Sequence, residues 1–187
     1  MDRFSILKGL EPPVEVKPFN EIIDIDEDVY HSVKIGTQEW MVENLKTTRF
    51  NDGTEIPHII DNDIWSKLET PGFCWYGNDE KNKNIYGALY NWYAVGTGKL
   101  APAGWRVPSD EEWNIGATNE TGFSAFPGGS RYFNGSFGGI GYYGNWWSAT
   151  ASDAANSWYR GMYYNSANVN RDYYNVQNGF SVRCVKD

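Results

Sequence analysis

Between Gly128 and Trp147 the chain reads GGSRYFNGSFGGIGYYGNWW, seven glycines and seven aromatic rings in twenty residues. Glycine at this density opposes a helix, since each costs about 1 kcal/mol against alanine in a helix interior. The rings, in turn, carry too much apolar area to be left in water. Close-packed loops whose glycines take positive φ and whose rings are buried satisfy both demands. Nine tryptophans, thirteen tyrosines and nine phenylalanines extend the same character along the chain, 17% of which is aromatic. Apolar residues at helical spacing are few, so the sequence predicts an α+β domain. It should be mostly antiparallel sheet, with two helices, one of them truncated, and long Gly- and aromatic-rich loops.

A chain of 187 residues, 41% of them hydrophobic, can bury one good core. We place the domain at residues 21–187 and read 1–20 as a lead-in, in which the prolines of EPPVEVKP enforce an extended backbone. MDRFSILKGL lacks the apolar stretch of a secretory signal, so localisation stays open between a phage or intracellular component and a surface protein whose leader is absent. No run nears the roughly 18 apolar residues of a membrane span. A net charge of -8 opposes binding to nucleic acid or to an anionic membrane. Cys74 and Cys184 could form one bridge or stay as two thiols.

EIIDI, VYHSVKIG and QEWMVENL read as an N-terminal β-meander with a tight acidic turn at DED. FNDGTEIP marks a turn, and DNDIWSKL a short helix capped by an acid or amide. In NIYGALYNWYAV, Tyr86, Leu89, Tyr90 and Tyr93 share a helical face, predicting the first real helix. VPSDEEW carries a capping box, Ser109 with Glu112, yet only Asn114 and Ile115 follow Trp113 before Gly116, so that helix is announced and barely built.

NWWSAT, SWYRGMYYN, NVNRDYYN and GFSVRCVK are strand candidates, and side chains alternate faces along a strand. Trp158, Arg160, Met162 and Tyr164, with Val169, Arg171 and Tyr173, form the set suited to a core. Opposite them lie Tyr159, Gly161, Tyr163, Asn165, Asn168, Asn170, Asp172 and Tyr174, joined by Asn156 and, at the border, one of the adjacent Trp146 and Trp147, for which we take Trp147. Tyrosine adds rigid contact area and asparagine adaptable hydrogen bonds, the mixture of antibody paratopes. The alternation fits both a display face and an ordinary solvated sheet face.

VYHSVKIGTQEWMVENLKTTRFNDGTEIP, YGALYNWYAV, LAPAGWRVPSDEEW, TNETGFSAFPGGSR, NWWSAT and GFSVRCVKD resemble the FISUMP domain (Fibrobacter succinogenes major paralogous domain) from about Asp24 to Asp187. The resemblance implies a C-type lectin-like fold, shared with the formylglycine-generating enzymes. It also implies a longer helix and loop between EEW and TNETGF than this chain carries. Ala101 and Arg106 stand where cysteine and histidine are common, which leaves Cys184 without the family's partner. The last forty residues are similar to the variable proteins of diversity-generating retroelements, whose adenine-directed changes turn asparagine codons into tyrosine, serine, aspartate or glycine. Thr150 to Asn178 holds six asparagines and five tyrosines.

Other chemistries find little support. The Glu-Pro-Asn and Gln-Pro-Asp tripeptides of calcium-dependent lectins do not occur. Asp24, Asp26 and Asp28 could offer oxygen ligands to a structural Ca²⁺, but EF-hand spacing is missing and an acidic turn explains them more simply. His31 and His58 are isolated, and Asp110, Glu111 and Glu112 read as helix-capping acids. Arg160, Arg171 and Arg183 are expected to pair with carboxylates or stack on rings. The sequence is thus read as a non-enzymatic, cofactor-free binding module for a protein or glycan on a target cell surface, of unassigned oligomeric state. A fixed bacterial adhesin or structural lipoprotein domain is the alternative, and a formylglycine-generating-type oxidase a more remote one.

Overall fold

The computed structural model describes residues 21–113, 125–166 and 168–186. The lead-in 1–20 and the junction after Trp113 lie outside the described residues. The acidic turn folds as read: Glu21–Ile23 (β1) pairs antiparallel with Val29–Ile35 (β2), which pairs with Gln38–Met41 (β3). This meander joins Trp105–Arg106 (β6) and the terminal Val185–Lys186 (β12) in a five-stranded sheet of order β1-β2-β3-β12-β6. Both ends of the domain therefore meet in one sheet. A second five-stranded sheet has the order β11-β10-β9-β7-β8, built from Gly128–Arg131 (β7), Phe137–Ile140 (β8), Tyr143–Ala151 (β9), Asn156–Tyr163 (β10) and Val169–Asn175 (β11). Phe73–Cys74 (β4) and Leu89–Tyr90 (β5) form a small hairpin-like pair.

Short helical turns connect the strands: Asn62–Trp65 (α1), Lys83–Tyr86 (α2) and Trp92–Val95 (α3) are single α-turns, and Tyr76–Asn78 and Glu80–Asn82 are 3-10 turns. The chain is α+β, but the first long helix expected over NIYGALYNWYAV is corrected. α2 ends at Gly87, with φ at 74°, and Leu89–Tyr90 pairs with β4 before Asn91 caps α3 through its side chain. Helical spacing is overridden because Leu89 and Tyr90 are both buried, one in each of two separate clusters. The short helix expected over DNDIWSKL forms as α1, capped by the Asp61 side chain.

The Gly-aromatic segment is also corrected. It uses positive φ, but as strands β7, β8 and β9 rather than loops, and of its rings only Trp146 and Trp147 are buried, while Phe133 and Tyr142 are exposed. Gly139 shows why: φ is 84°, and a Cβ there would sit 2.1 Å from the Tyr143 ring. Burial gathers around rings. The main cluster joins Tyr30, Met41, Phe73, Trp75, Tyr90, Trp147, Phe180 and Cys184; a second joins Ile35, Trp40, Trp113, Trp146 and Val185. Arg131 is fully buried without a carboxylate, lying over Trp65 at 4.3 Å and donating to the backbone carbonyls of Gly135, Ile59, Ile60 and Asp61. That arginine ties the start of the second sheet to the 59–62 segment.

Candidate ligand-binding face

The ladder between β10 and β11 runs Ser157 to Tyr174, Tyr159 to Asp172, Gly161 to Asn170 and Met162 to Val169, so the parity split of the two strands is the split the sheet uses. On the other side of β10, Tyr159 lies opposite Trp147, Gly161 opposite Asn145 and Tyr163 opposite Tyr143. Directly opposed residues share a face. One face therefore carries cross-strand rows: Tyr143 with Tyr163, Asn145 with Gly161 and Asn170, Trp147 with Tyr159 and Asp172, and Ser157 with Tyr174. At its middle Gly161 contributes no side chain, and Asn145 Oδ1 and the Tyr159 ring close over it, 3.1 and 3.4 Å from where a Cβ would stand. The Tyr143 and Tyr163 rings lie 5.7 Å apart. From behind, Ser130 Oγ accepts the Asn145 amide at 2.9 Å and the Tyr132 and Tyr143 hydroxyls meet at 2.7 Å.

Exposure sorts the proposed site residues. Tyr163 (48%) and Tyr174 (40%) are exposed, as are Asn170 and Asp172 on β11. Asn165 and Asn168 are exposed in the turn between the strands rather than on them. Asn156 is corrected: it is half-buried and, opposed to Asn175, lies on the face of Trp158 and Tyr173 rather than with Tyr159; Gly161 is buried, and Tyr159 is half-buried against Trp147 and Phe180. Burial, then the charge of Asp172, push the Tyr159 hydroxyl up to about 12. Trp147 requires correction: it is 0% exposed, and its indole N–H donates to the carbonyl of Tyr90. Trp146 is equally buried, on the opposite face. The expected split into core and surface fails because β9 is covered on both faces.

The opposite face is likewise only partly the core that parity assigned to it. Arg160 is buried, but Tyr173 and Arg171 are exposed, because β11 is the edge of its sheet, and Tyr164 is exposed in the turn after β10. This face is organised around Asp110. Its Oδ2 accepts Arg171 Nε at 2.9 Å and Nη2 at 2.7 Å, Arg160 Nη1 reaches Oδ1, and Arg160 Nη2 donates to the Asp110 carbonyl at 2.6 Å. The Arg171 guanidinium lies 3.6 Å above the Trp158 ring, which Tyr173 meets edge-on at 5.5 Å. Burial pushes the Asp110 carboxyl up, but hydrogen bonds from Arg171 and Arg160 outweigh it and hold the carboxyl below its ordinary range. The arginines pair and stack as expected, and Arg183, fully buried, donates to Asn44 Oδ1 at 3.0 Å.

Two residue groups escaped the sequence reading. Asn145 and Tyr143 were reachable, since they share parity with Trp147. Asp110 was not, because its partners lie 50 and 61 residues away. The capping box beside it is real: Ser109 Oγ accepts the Glu112 N–H, and the Glu112 carboxylate accepts the Ser109 N–H.

The carboxylates of the acidic turn are engaged by protein donors. Asp24 accepts the N–H groups of Asp26 and Asp28 and the Tyr30 hydroxyl, Asp26 accepts Thr47 and Thr48, and Asp28 pairs with Lys46 and Lys83. His31 pairs with Glu43, and His58 stacks on Phe73 at 4.9 Å. Both cysteines are free and buried in different clusters. Burial pushes the Cys74 thiol up to about 12 and raises Cys184 as well.

Two curled sheets on an aromatic core, with a clamped edge strand presenting tyrosine and asparagine, define a β-rich α+β domain. The chain belongs to the Fibrobacter succinogenes major domain family, whose family model matches residues 33–115 and 114–186. The two matched stretches meet at residues 114–115. A comparison with curated proteins gives no match.

Proposed function

We propose that this domain is a non-enzymatic binding module with a C-type lectin-like fold, presenting Tyr163, Asn170, Asp172 and Tyr174, with Asn145 and Tyr159 beneath them, to a protein or glycan on a target cell. The carrying observation is the division of labour between the two faces of β10 and β11. Arg160 and Arg171 are committed to Asp110 on one face, while the tyrosines and asparagines of the other are held by few side-chain partners. Such a face binds by shape, ring contact and hydrogen bonding, without metal. The same division suits the variable protein of a diversity-generating retroelement, where exposed positions change and the clamp does not.

The test is attachment of the labelled protein to a panel of bacterial cells and immobilised glycans. Tyr163→Ala and Asn170→Ala should abolish attachment with an unchanged melting temperature, and deep sequencing of the gene across its source population should find substitutions at Tyr163, Asn170, Asp172 and Tyr174 with Arg160, Met162, Val169 and Arg171 fixed. Attachment indifferent to both substitutions would sink the reading. Uniformly low variation would leave a fixed adhesin.

A further inference from the structure

At the C-terminal end of β11 a shallow cleft of about 250 Å³ is lined by Phe133, Asn156, Tyr173, Tyr174 and Asn175. Three of these are large exposed rings: Phe133 and Tyr173 at 50% and Tyr174 at 40%. None of the five is charged, in a chain of net charge -8. Asn156 and Asn175 are directly opposed across β10 and β11, and each has one end of its amide already in use. Asn156 Nδ2 donates to both carboxylate oxygens of Asp153, at 3.1 and 3.0 Å. Asn175 Oδ1 accepts the Gln177 N–H at 2.8 Å. An ionised carboxylate only accepts and a backbone N–H only donates, so both amide orientations are determined. Among the described residues this leaves one acceptor, Asn156 Oδ1, and one donor, Asn175 Nδ2, without a protein partner.

We infer that this cleft is a metal-free subsite for a single neutral sugar ring, at the end of a glycan; the inference rests on the binding-module reading above. A hydroxyl both donates and accepts, so one or two neighbouring hydroxyls satisfy the amide pair, which a carboxylate or phosphate, accepting only, would half-satisfy. The electron-rich faces of Phe133, Tyr173 and Tyr174 suit the polarised C–H side of a pyranose. The volume lies below the roughly 300–1,000 Å³ that enclose drug-sized ligands, which points to one ring rather than an oligosaccharide. Phe133 comes from the turn between β7 and β8 and Tyr173 from the face opposite Tyr163, so the subsite extends the display face around the sheet edge.

The experiment is saturation-transfer NMR of the intact chain with the methyl pyranosides of glucose, galactose and mannose. At least one should receive saturation on its ring protons. Phe133→Ala and the near-isosteric Asn175→Asp, which keeps the acceptor for Gln177 and removes the donor, should each weaken its binding by about tenfold, the scale of one lost ring face or hydrogen bond. Tyr163→Ala should change it by less than about twofold. No transfer from any of the three, transfer abolished by Tyr163→Ala but not by Phe133→Ala, or occupancy only by a proline- or tryptophan-containing peptide would each overturn the subsite. The two readings fail separately. Cell attachment lost in Tyr163→Ala with no glycoside bound leaves the face without the subsite, and glycoside binding with attachment indifferent to Tyr163 and Asn170 leaves the subsite without the face.

Discussion

Asp110 holds two strands through one carboxylate. Arg160 is buried beneath it and Arg171 half-exposed beside it, so Asp110→Ala removes the carboxylate of a buried ion pair, a loss of about 3–5 kcal/mol by the usual cost of breaking a buried pair. Chemical denaturation should show that drop, and limited proteolysis should cut first near β11. The pH dependence has a definite sign. Because the folded carboxyl titrates below its ordinary 3.8, the unfolded chain takes up the proton more readily; the clamp contributes fully above that value and is lost as pH falls through the lowered one. Asp110→Asn should therefore remove part of the acid sensitivity seen below about pH 4 in stability titrations. Tyr163 and Trp147 give the complementary contrast. They share a face but differ in burial, so Tyr163→Ala should stay within about 0.5 kcal/mol of the parent while Trp147→Ala should cost about 3–5 kcal/mol.

Strands with strict alternation were the elements most readable in the sequence. The N-terminal meander and β9, β10 and β11 follow their period, and the ladder pairs the two parity sets as read. Deciding which set is buried requires knowing what lies above each face, and that is tertiary information: Phe180 covers Tyr159 and Tyr174, and the Pro108–Asp110 segment covers Arg160. Trp147 and Tyr173 were consequently assigned to the wrong environments. NIYGALYNWYAV misleads for a related reason, since its helical spacing serves two turns separated by a strand pair. The break depends on Gly87, where a Cβ would lie 2.7 Å from Asn44 Cβ and 2.8 Å from the Leu45 carbonyl, at φ of 74°. Gly87→Ala should cost about 1–3 kcal/mol from backbone strain alone, with further loss from the contact, measurable as a lower urea midpoint.

At the scale of the molecule, stability is carried by rings, buried arginines and carboxylates already engaged by protein donors. EDTA or millimolar calcium should accordingly leave the melting temperature unchanged, and a calcium-dependent rise would mean that the Asp24–Asp28 turn rearranges around an ion. Cys74 and Cys184, buried in separate clusters with raised titration, should resist thiol reagents until the chain is denatured. The fold class and the C-terminal strands were legible because they rest on local period; the Asp110 clamp and the buried Arg131 were not, because their partners are distant in the chain. The clamp also sets what kinds of change the gene can absorb. Exchanging one residue for another at Asn170, Asp172 or Tyr174 leaves Arg171 on its own side of the strand, but adding or removing a single codon before it would turn the strand over, carrying Arg171 away from Asp110 and its neighbours into its place. One face of β11 can be respelled freely, but Arg171 and the length of the strand are fixed.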